Sequence, residues 1–142
     1  MTLIEVQAIG HQMTISMYQA SIPQFKKMLS NLSAILKKAE AHSVSKKIDE
    51  KVVLESRLFL DMFALTKQVQ IACDQVKNGM ARLAGVEPPK LADNEATFSE
   101  LQERIHKTLT FVDTIRPEQL EGSATKEIKF SIGEWKLDRK SV

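Results

Sequence analysis

Asp61 and Gln68 stand seven residues apart in DMFALTKQVQIACDQ, residues 61–75, where the apolar residues repeat at helical spacing. On an α-helix two groups so spaced lie only about 20° apart around the axis, so both would look out from one shoulder of the same face. A carboxylate half covered there by a partner helix must find donors, because an unpaired one is costly or takes up a proton. The plainer outcome is a polar bridge between helices, with Asp61 paired to a backbone amide, to Tyr18, or to a lysine or arginine. The sharper one is a small-molecule pocket lined by Asp61 and Gln68, with Tyr18 and Met62 as neighbours at similar levels of adjacent helices. The space between bundle helices is where such pockets form.

Other chemistry is thinly supplied. The three histidines, His11, His42 and His106, share no i, i+3 or i+4 spacing. No single helix therefore presents two of them to a metal ion, and neither a metal site nor a cofactor is expected. Cys73 lies one step off an apolar seam, where a thiol behaves as a small buried hydrophobe with a raised pKa rather than as a nucleophile. CxxC, P-loop, GxGxxG and GxSxG patterns are absent, which leaves nucleophilic, redox and nucleotide chemistry without support. Met17, Met28, Met62 and Met80 fall on or beside apolar stripes and read as core filling.

Three helices must position these groups. The first pattern runs from about Thr14 to Ala41, with Tyr18, Ile22, Phe25, Leu29, Leu32, Leu36 and Ala39 stepping by three and four. Pro23 either bends that helix or sets its start at Ser21-Ile22. The polar stretch HSVSKKID follows, and Asp49 is a good N-cap for a second helix continuing to Ala84 along the seam Leu58, Met62, Leu65, Val69, Ala72, Val76, Met80 and Leu83. Gly85 offers a left-handed stop, and Pro88-Pro89 forbid continuation. Thr97 and Glu100 form a capping box for a third helix, with Phe98, Leu101, Ile105, Leu109 and Val112 on its apolar face and Glu103 and Lys107 as a surface ion pair. After PEQLEGSAT, residues 117–125, the period drops to two, and Ile128, Phe130 and Ile132, a turn at Gly133-Glu134, then Trp135 and Leu137 predict a short C-terminal β-hairpin.

Bulk properties bound the class. A chain of 142 residues makes about one domain with a core of its own. It is 43% hydrophobic and 27% charged, as ordinary globular domains are. Twenty basic residues against eighteen acidic ones give a net charge of +2, with the lysines in scattered pairs, so a nucleic-acid partner is not expected. One cysteine excludes an internal disulfide, the first residues lack a secretory pattern, and no stretch is apolar enough to span a membrane. A cytoplasmic protein without a membrane partner is expected.

The stretches MTISMYQASIPQFKKMLSNLSAILKKAEAH, DMFALTKQVQIACDQVKNGMARLAGVEPP and TFSELQERIHKT resemble, in order and spacing, domain-of-unknown-function family 1993 (DUF1993), over about Met13 to Leu137. That family looks like a branch of the DinB-like (YfiT-like) four-helix bundles, many of them metal-dependent and some acting through small thiols. Metal-binding DinB-like proteins draw one histidine from the second helix and two from the last long helix. Here the second helix has no histidine and offers Asp61 and Gln68 instead, so the resemblance implies no catalytic role for them and no metalloenzyme. Relatives continue past IKFSIGEWKL into a long fourth helix, whereas this sequence stops there.

The expected architecture is thus all-α: an antiparallel up-and-down bundle, DinB-like and lacking its fourth helix, with a short C-terminal β-hairpin. Residues 1–12 form an N-terminal extension, 13–137 the bundle domain and 138–142 a tail. Three broad apolar stripes without a fourth helix leave a groove for a partner or the tail to cover, which implies self-association as a homodimer. The expected function is a non-metal ligand-binding or interaction domain, with a small molecule as the possible ligand. The alternative is a divergent thiol transferase or isomerase in which Asp61 polarises substrate or accepts a proton.

Overall fold

The computed structural model describes residues 15–132 and 135–140, with side chains described through residue 127. Three long helices carry the fold. Helix α1 spans Met17–Lys46, a short α2 spans Glu50–Leu54, α3 spans Leu65–Ala84 and α4 spans Phe98–Asp113. Two 3-10 turns follow at Pro117–Leu120 and Ser123–Thr125. Strands β1 (Glu127–Ile132) and β2 (Trp135–Lys140) then pair antiparallel, from Glu127 opposite Lys140 to Ile132 opposite Trp135. The expected turn at Gly133-Glu134 lies outside the described residues. No helix among the described residues is long and apolar enough to cross a membrane.

The helix ends follow local chemistry. Ser16 and Gln19 make a reciprocal capping box that starts α1 before Pro23, so the helix neither begins at Ser21-Ile22 nor breaks at the proline. It also runs past Ala41 through most of the polar stretch. Lys47 turns left-handed (φ 55°) to end it, and the Ser43 hydroxyl donates to the Ile48 carbonyl. Asp49 caps α2 by accepting from the Lys51 amide. Thr97 and Glu100 cap α4 reciprocally, and Gly85 (φ 71°) closes α3 in the left-handed region that glycine enters without strain.

Two expectations are corrected. The second helix is not continuous from Asp49 to Ala84: α2 ends at Leu54, and residues 55–64 form a loop. The Ser56 hydroxyl turns back to the Val53 carbonyl, and the Leu65 amide donates to the Ser56 carbonyl at 3.0 Å. Thr66 then donates to the Leu54 carbonyl, holding α3 beside the end of α2. A ten-residue excursion therefore leaves and returns at nearly one point, as compact Ω-loops do.

The second correction concerns direction. Helix α1 is antiparallel to α4, as Lys26–Asp113 (2.6 Å) and Ser33–Gln102 (2.6 Å) require. Helices α3 and α4, however, run parallel. Lys67 and Gln70 at the start of α3 hold Asp93 and Glu95 just before the start of α4. Glu50 accepts from the Phe98 amide at that same end of the molecule. Residues 85–97 must therefore travel back along α3. Thirteen residues suffice, since an extended chain covers about 3.3 Å per residue and the 20-residue helix only about 30 Å. The up-and-down order assumed a short connection, but Pro88-Pro89, just past the Gly85 stop, keep this one extended.

The core gathers Ile22, Leu29 and Leu36 of α1, Val69, Cys73, Val76 and Met80 of α3, and Phe98, Leu101, Ile105 and Val112 of α4, closed by Leu54, Ile115 and Leu120. Cys73 rather than Ala72 is the buried member of the α3 seam. Of the four methionines read as core, Met80 is fully buried and Met17 half-buried, whereas Met28 and Met62 are exposed.

Leu58 tests the placement of the loop. As a seam residue its replacement by alanine would cost about 2–5 kcal/mol, whereas at 88% exposure it should change stability by no more than about 0.5 kcal/mol. Leu101→Ala, fully buried, serves as the positive control. Urea denaturation of both variants checks this, and a loss above about 2 kcal/mol in Leu58→Ala would refute the loop.

Candidate functional site

The strongest electrostatic feature is Arg104, which α4 carries into the core on the same side as Leu101, Ile105 and Thr108 and which is 2% exposed. Its Nη1 donates to the Ala92 carbonyl (3.1 Å) and to Glu95 Oε1 (2.8 Å). Its Nη2 donates to Asp74 Oδ1 (2.9 Å) and lies 3.0 Å from Asp93 Oδ1. Outer partners hold the three carboxylates in turn: Lys77 to Asp74 (3.1 Å), Lys67 to Asp93 (3.0 Å), and the Gln70 amide to Glu95 (2.8 Å). Three cations thus face three anions, the balance that burying charge requires. Among the side-chain nitrogen and oxygen atoms of the described residues, only Arg104 Nε is buried without a partner.

The electrostatics follow this geometry. Burial disfavours the Arg104 cation, but its bonds to Glu95 and Asp74 more than offset that and raise its pKa. The hydrogen bond from Lys67, helped by Arg104, lowers that of Asp93. Glu100 is lowered by the amides of Ala96 and Thr97 at the start of α4. Burial raises the Cys73 thiol, against a hydrogen bond shared with the fully buried Thr108. A protonated, enclosed thiol is a poor nucleophile. His42 and His106 are exposed on different helices, and His11 lies outside the described residues. Among the described residues no three His, Cys, Asp or Glu side chains are arranged to hold a metal ion.

The loop 55–64 is the second feature. Leu58, Phe59, Leu60, Met62 and Phe63 are exposed at 88%, 69%, 93%, 38% and 59%. Between this loop and α3 lies an open depression of about 360 Å³, lined by Ser56, Arg57, Leu58, Met62, Phe63, Leu65 and Gln68. Arg57 Nη1 donates to the Met62 carbonyl (3.2 Å), and Gln68 Nε2 donates to the Phe63 carbonyl (3.4 Å). Two polar ends thus stand within an apolar lining.

The four residues expected to share a pocket are separated. Met62 and Gln68 line the depression together. Asp61 is exposed on the loop, outside that lining and not on a helix, so its seven-residue spacing to Gln68 no longer sets a common face. Tyr18 sits near the start of α1, half-buried beside Pro117 and Leu120. Because α1 is antiparallel to α3, that is the far end of the molecule from Met62. Arg104 escaped notice in the sequence, although a cation three residues after Leu101 and four before Thr108 in an apolar stripe was a legible signal, as was the pair Asp93 and Glu95 just upstream.

The profile of a family described as a domain of unknown function (DUF1993) matches residues 17–141. Among solved structures, a crystal structure described as a DinB family member protein from Shewanella denitrificans is similar to this chain. It shares 44% sequence identity and superposes with a TM-score of 0.76 over 85% of this chain and 70% of that one. No relative was found among curated proteins.

Removing Arg104 should strand three carboxylates and release the 92–95 segment. Arg104→Ala is expected to lose about 3–5 kcal/mol in urea denaturation, with faster amide exchange at residues 92–97; a loss under 1 kcal/mol would show that the cluster does not hold the crossover. A pH series gives a separate check. A carboxylate whose folded pKa lies below its unfolded value contributes stability present above the unfolded value and lost as pH falls through the folded one. From Asp93 and Glu100, stability should hold level between pH 8 and 5 and decline below about pH 4, less steeply in Asp93→Asn. A decline beginning between pH 7 and 5 contradicts this.

Proposed function

Because the chain belongs to the DUF1993 family, whose description as a domain of unknown function assigns no activity, we propose from its own geometry that it is a non-catalytic binding module working through the loop 55–64. The observation that carries this is the placement of five large apolar side chains in solvent around the depression that Arg57 and Gln68 line. Apolar walls with a few polar ends of fixed direction suit a ligand with an apolar body and one hydrogen-bonding or anionic head. The head would meet the Arg57 guanidinium and the second N–H of the Gln68 amide, whose first is given to the Phe63 carbonyl, and the body would lie against Leu58, Met62, Phe63 and Leu65. At about 360 Å³ the depression falls in the range of small-molecule sites.

The groups that enzyme chemistry would call on are engaged elsewhere or unsuited. Arg104 is held by carboxylates at both terminal nitrogens, and Cys73 is enclosed with a raised pKa. A transferase or isomerase using Asp61 would need that carboxylate held beside a bound thiol, whereas Asp61 lies outside the lining and has no partner among the described residues. This favours binding over catalysis, and the lone buried thiol is consistent with a cytoplasmic location.

The naphthalene sulfonate dye ANS has the required apolar body and anionic head. Wild-type protein at low concentration should bind it, and Gln68→Ala and Met62→Ala should each weaken binding about 3–10-fold, as losing roughly 1 kcal/mol of contact does, with an unchanged melting temperature. Tyr18→Ala should leave dye affinity unaltered. Equal dye affinity in all four proteins would refute the assignment.

A further inference from the structure

The depression is lined by Leu58 and Phe63 but not by Phe59 and Leu60, which form the tip of the loop, 69% and 93% exposed. An exposed apolar tip beside an open, largely apolar depression is the arrangement of a surface that complements itself. We propose that the ligand of this site is a second copy of the chain, docked by a two-fold axis so that Phe59 and Leu60 of each copy enter the other's depression. This rests on the reading of the loop as a binding surface and names its partner.

Charge and area both favour a second copy. The loop holds one cation and one anion between Glu55 and Leu65, Arg57 in the lining and Asp61 next to the tip. A two-fold contact brings residue i of one copy to residue j of the other and the reverse, so one such pair forms two ion pairs across the interface. Asp61, without a partner among the described residues, then gains one, and the loop's own charges cancel. A basic collar, which an anionic membrane would require, is absent from the loop. Phe59 and Phe63, at roughly 150–250 Å² for a whole aromatic side chain, supply part of the area such a contact covers, and Leu58, Leu60 and Met62 add to it. A standard interface uses about 800 Å² per partner. Val52 of α2, 62% exposed, is available to extend the patch.

Sedimentation velocity on the full chain from about 1 to 200 µM tests this. The wild type should dimerise within that range, and Leu60→Asp should stay monomeric throughout with an unchanged melting temperature. Arg57→Asp and Asp61→Arg should each weaken dimerisation at least tenfold, and the double variant should recover to within about threefold of wild type. A wild type monomeric at 200 µM, a dimer indifferent to Leu60→Asp, or a double variant no better than the singles overturns the proposal. So does a monomeric wild type that instead co-sediments with phosphatidylcholine vesicles. Leu60 lies outside the lining, so ANS should still bind Leu60→Asp. A monomeric wild type with Gln68-dependent dye binding would therefore sink the dimer alone, and loss of dye binding as well would sink the binding site with it.

Discussion

A guanidinium buried among three carboxylates from two segments decides how this chain is folded. Arg104 could not enter the core alone, because an uncompensated buried cation is far costlier than any packing its stem could return. Its compensation comes from Asp74 on α3 and from Asp93, Glu95 and the Ala92 carbonyl on the crossover. The polar cluster therefore requires the crossover to lie beside α3 and the start of α4. With Pro88-Pro89 barring a helical continuation after Gly85, the connection runs back the length of α3 and delivers α4 parallel to it. A buried ionic cluster is weak evidence for stability, but here it specifies topology: a short connection would strand the cation.

That topology sets what the rest of the chain can do. With α1 and α3 both packed on α4, the start of α3, the start of α4 and the short α2 meet at one end of the molecule. Leu54 is buried there, and the residues that follow are exposed. They leave as a loop, closed on itself by the Leu65 amide and the Ser56 carbonyl, and carry their apolar side chains outward. The family match and the similarity to a DinB family member fit this helical frame.

What the sequence displayed was whatever is encoded locally. The Thr97/Glu100 capping box, the Asp49 cap, the Gly85 stop and the Glu103–Lys107 pair (2.8 Å) each involve residues within four positions, and all occur as read. The direction of α4 was hidden because it depends on Arg104 meeting residues 9 to 30 positions away, and spacing within one helix says nothing of such meetings. The loop was hidden for another reason. Leu58, Met62 and Leu65 do fall at steps of four and three, but so do alternatives among five apolar residues in six, and such density fits any period. A stripe needs polar residues between its members, and between Leu58 and Phe63 only Asp61 serves. Asp61 and Gln68 consequently shared a face only on a helix that does not form there.

The exposed loop has an energetic asymmetry that bears on its role. Side chains such as Leu60 are open to solvent in the folded chain much as in the unfolded one, so the water around them enters hardly at all into folding stability. The same surface contributes in full to any association that covers it. Folding thus hardly bears on Leu58 and Leu60 at these positions, and contact with something else gives their apolar character most of its thermodynamic effect. The charged cluster at Arg104 is the converse, with both terminal guanidinium nitrogens engaged by carboxylates of the same chain. A molecule that holds its buried guanidinium within the fold and carries five large apolar side chains exposed on one loop is physically equipped to bind.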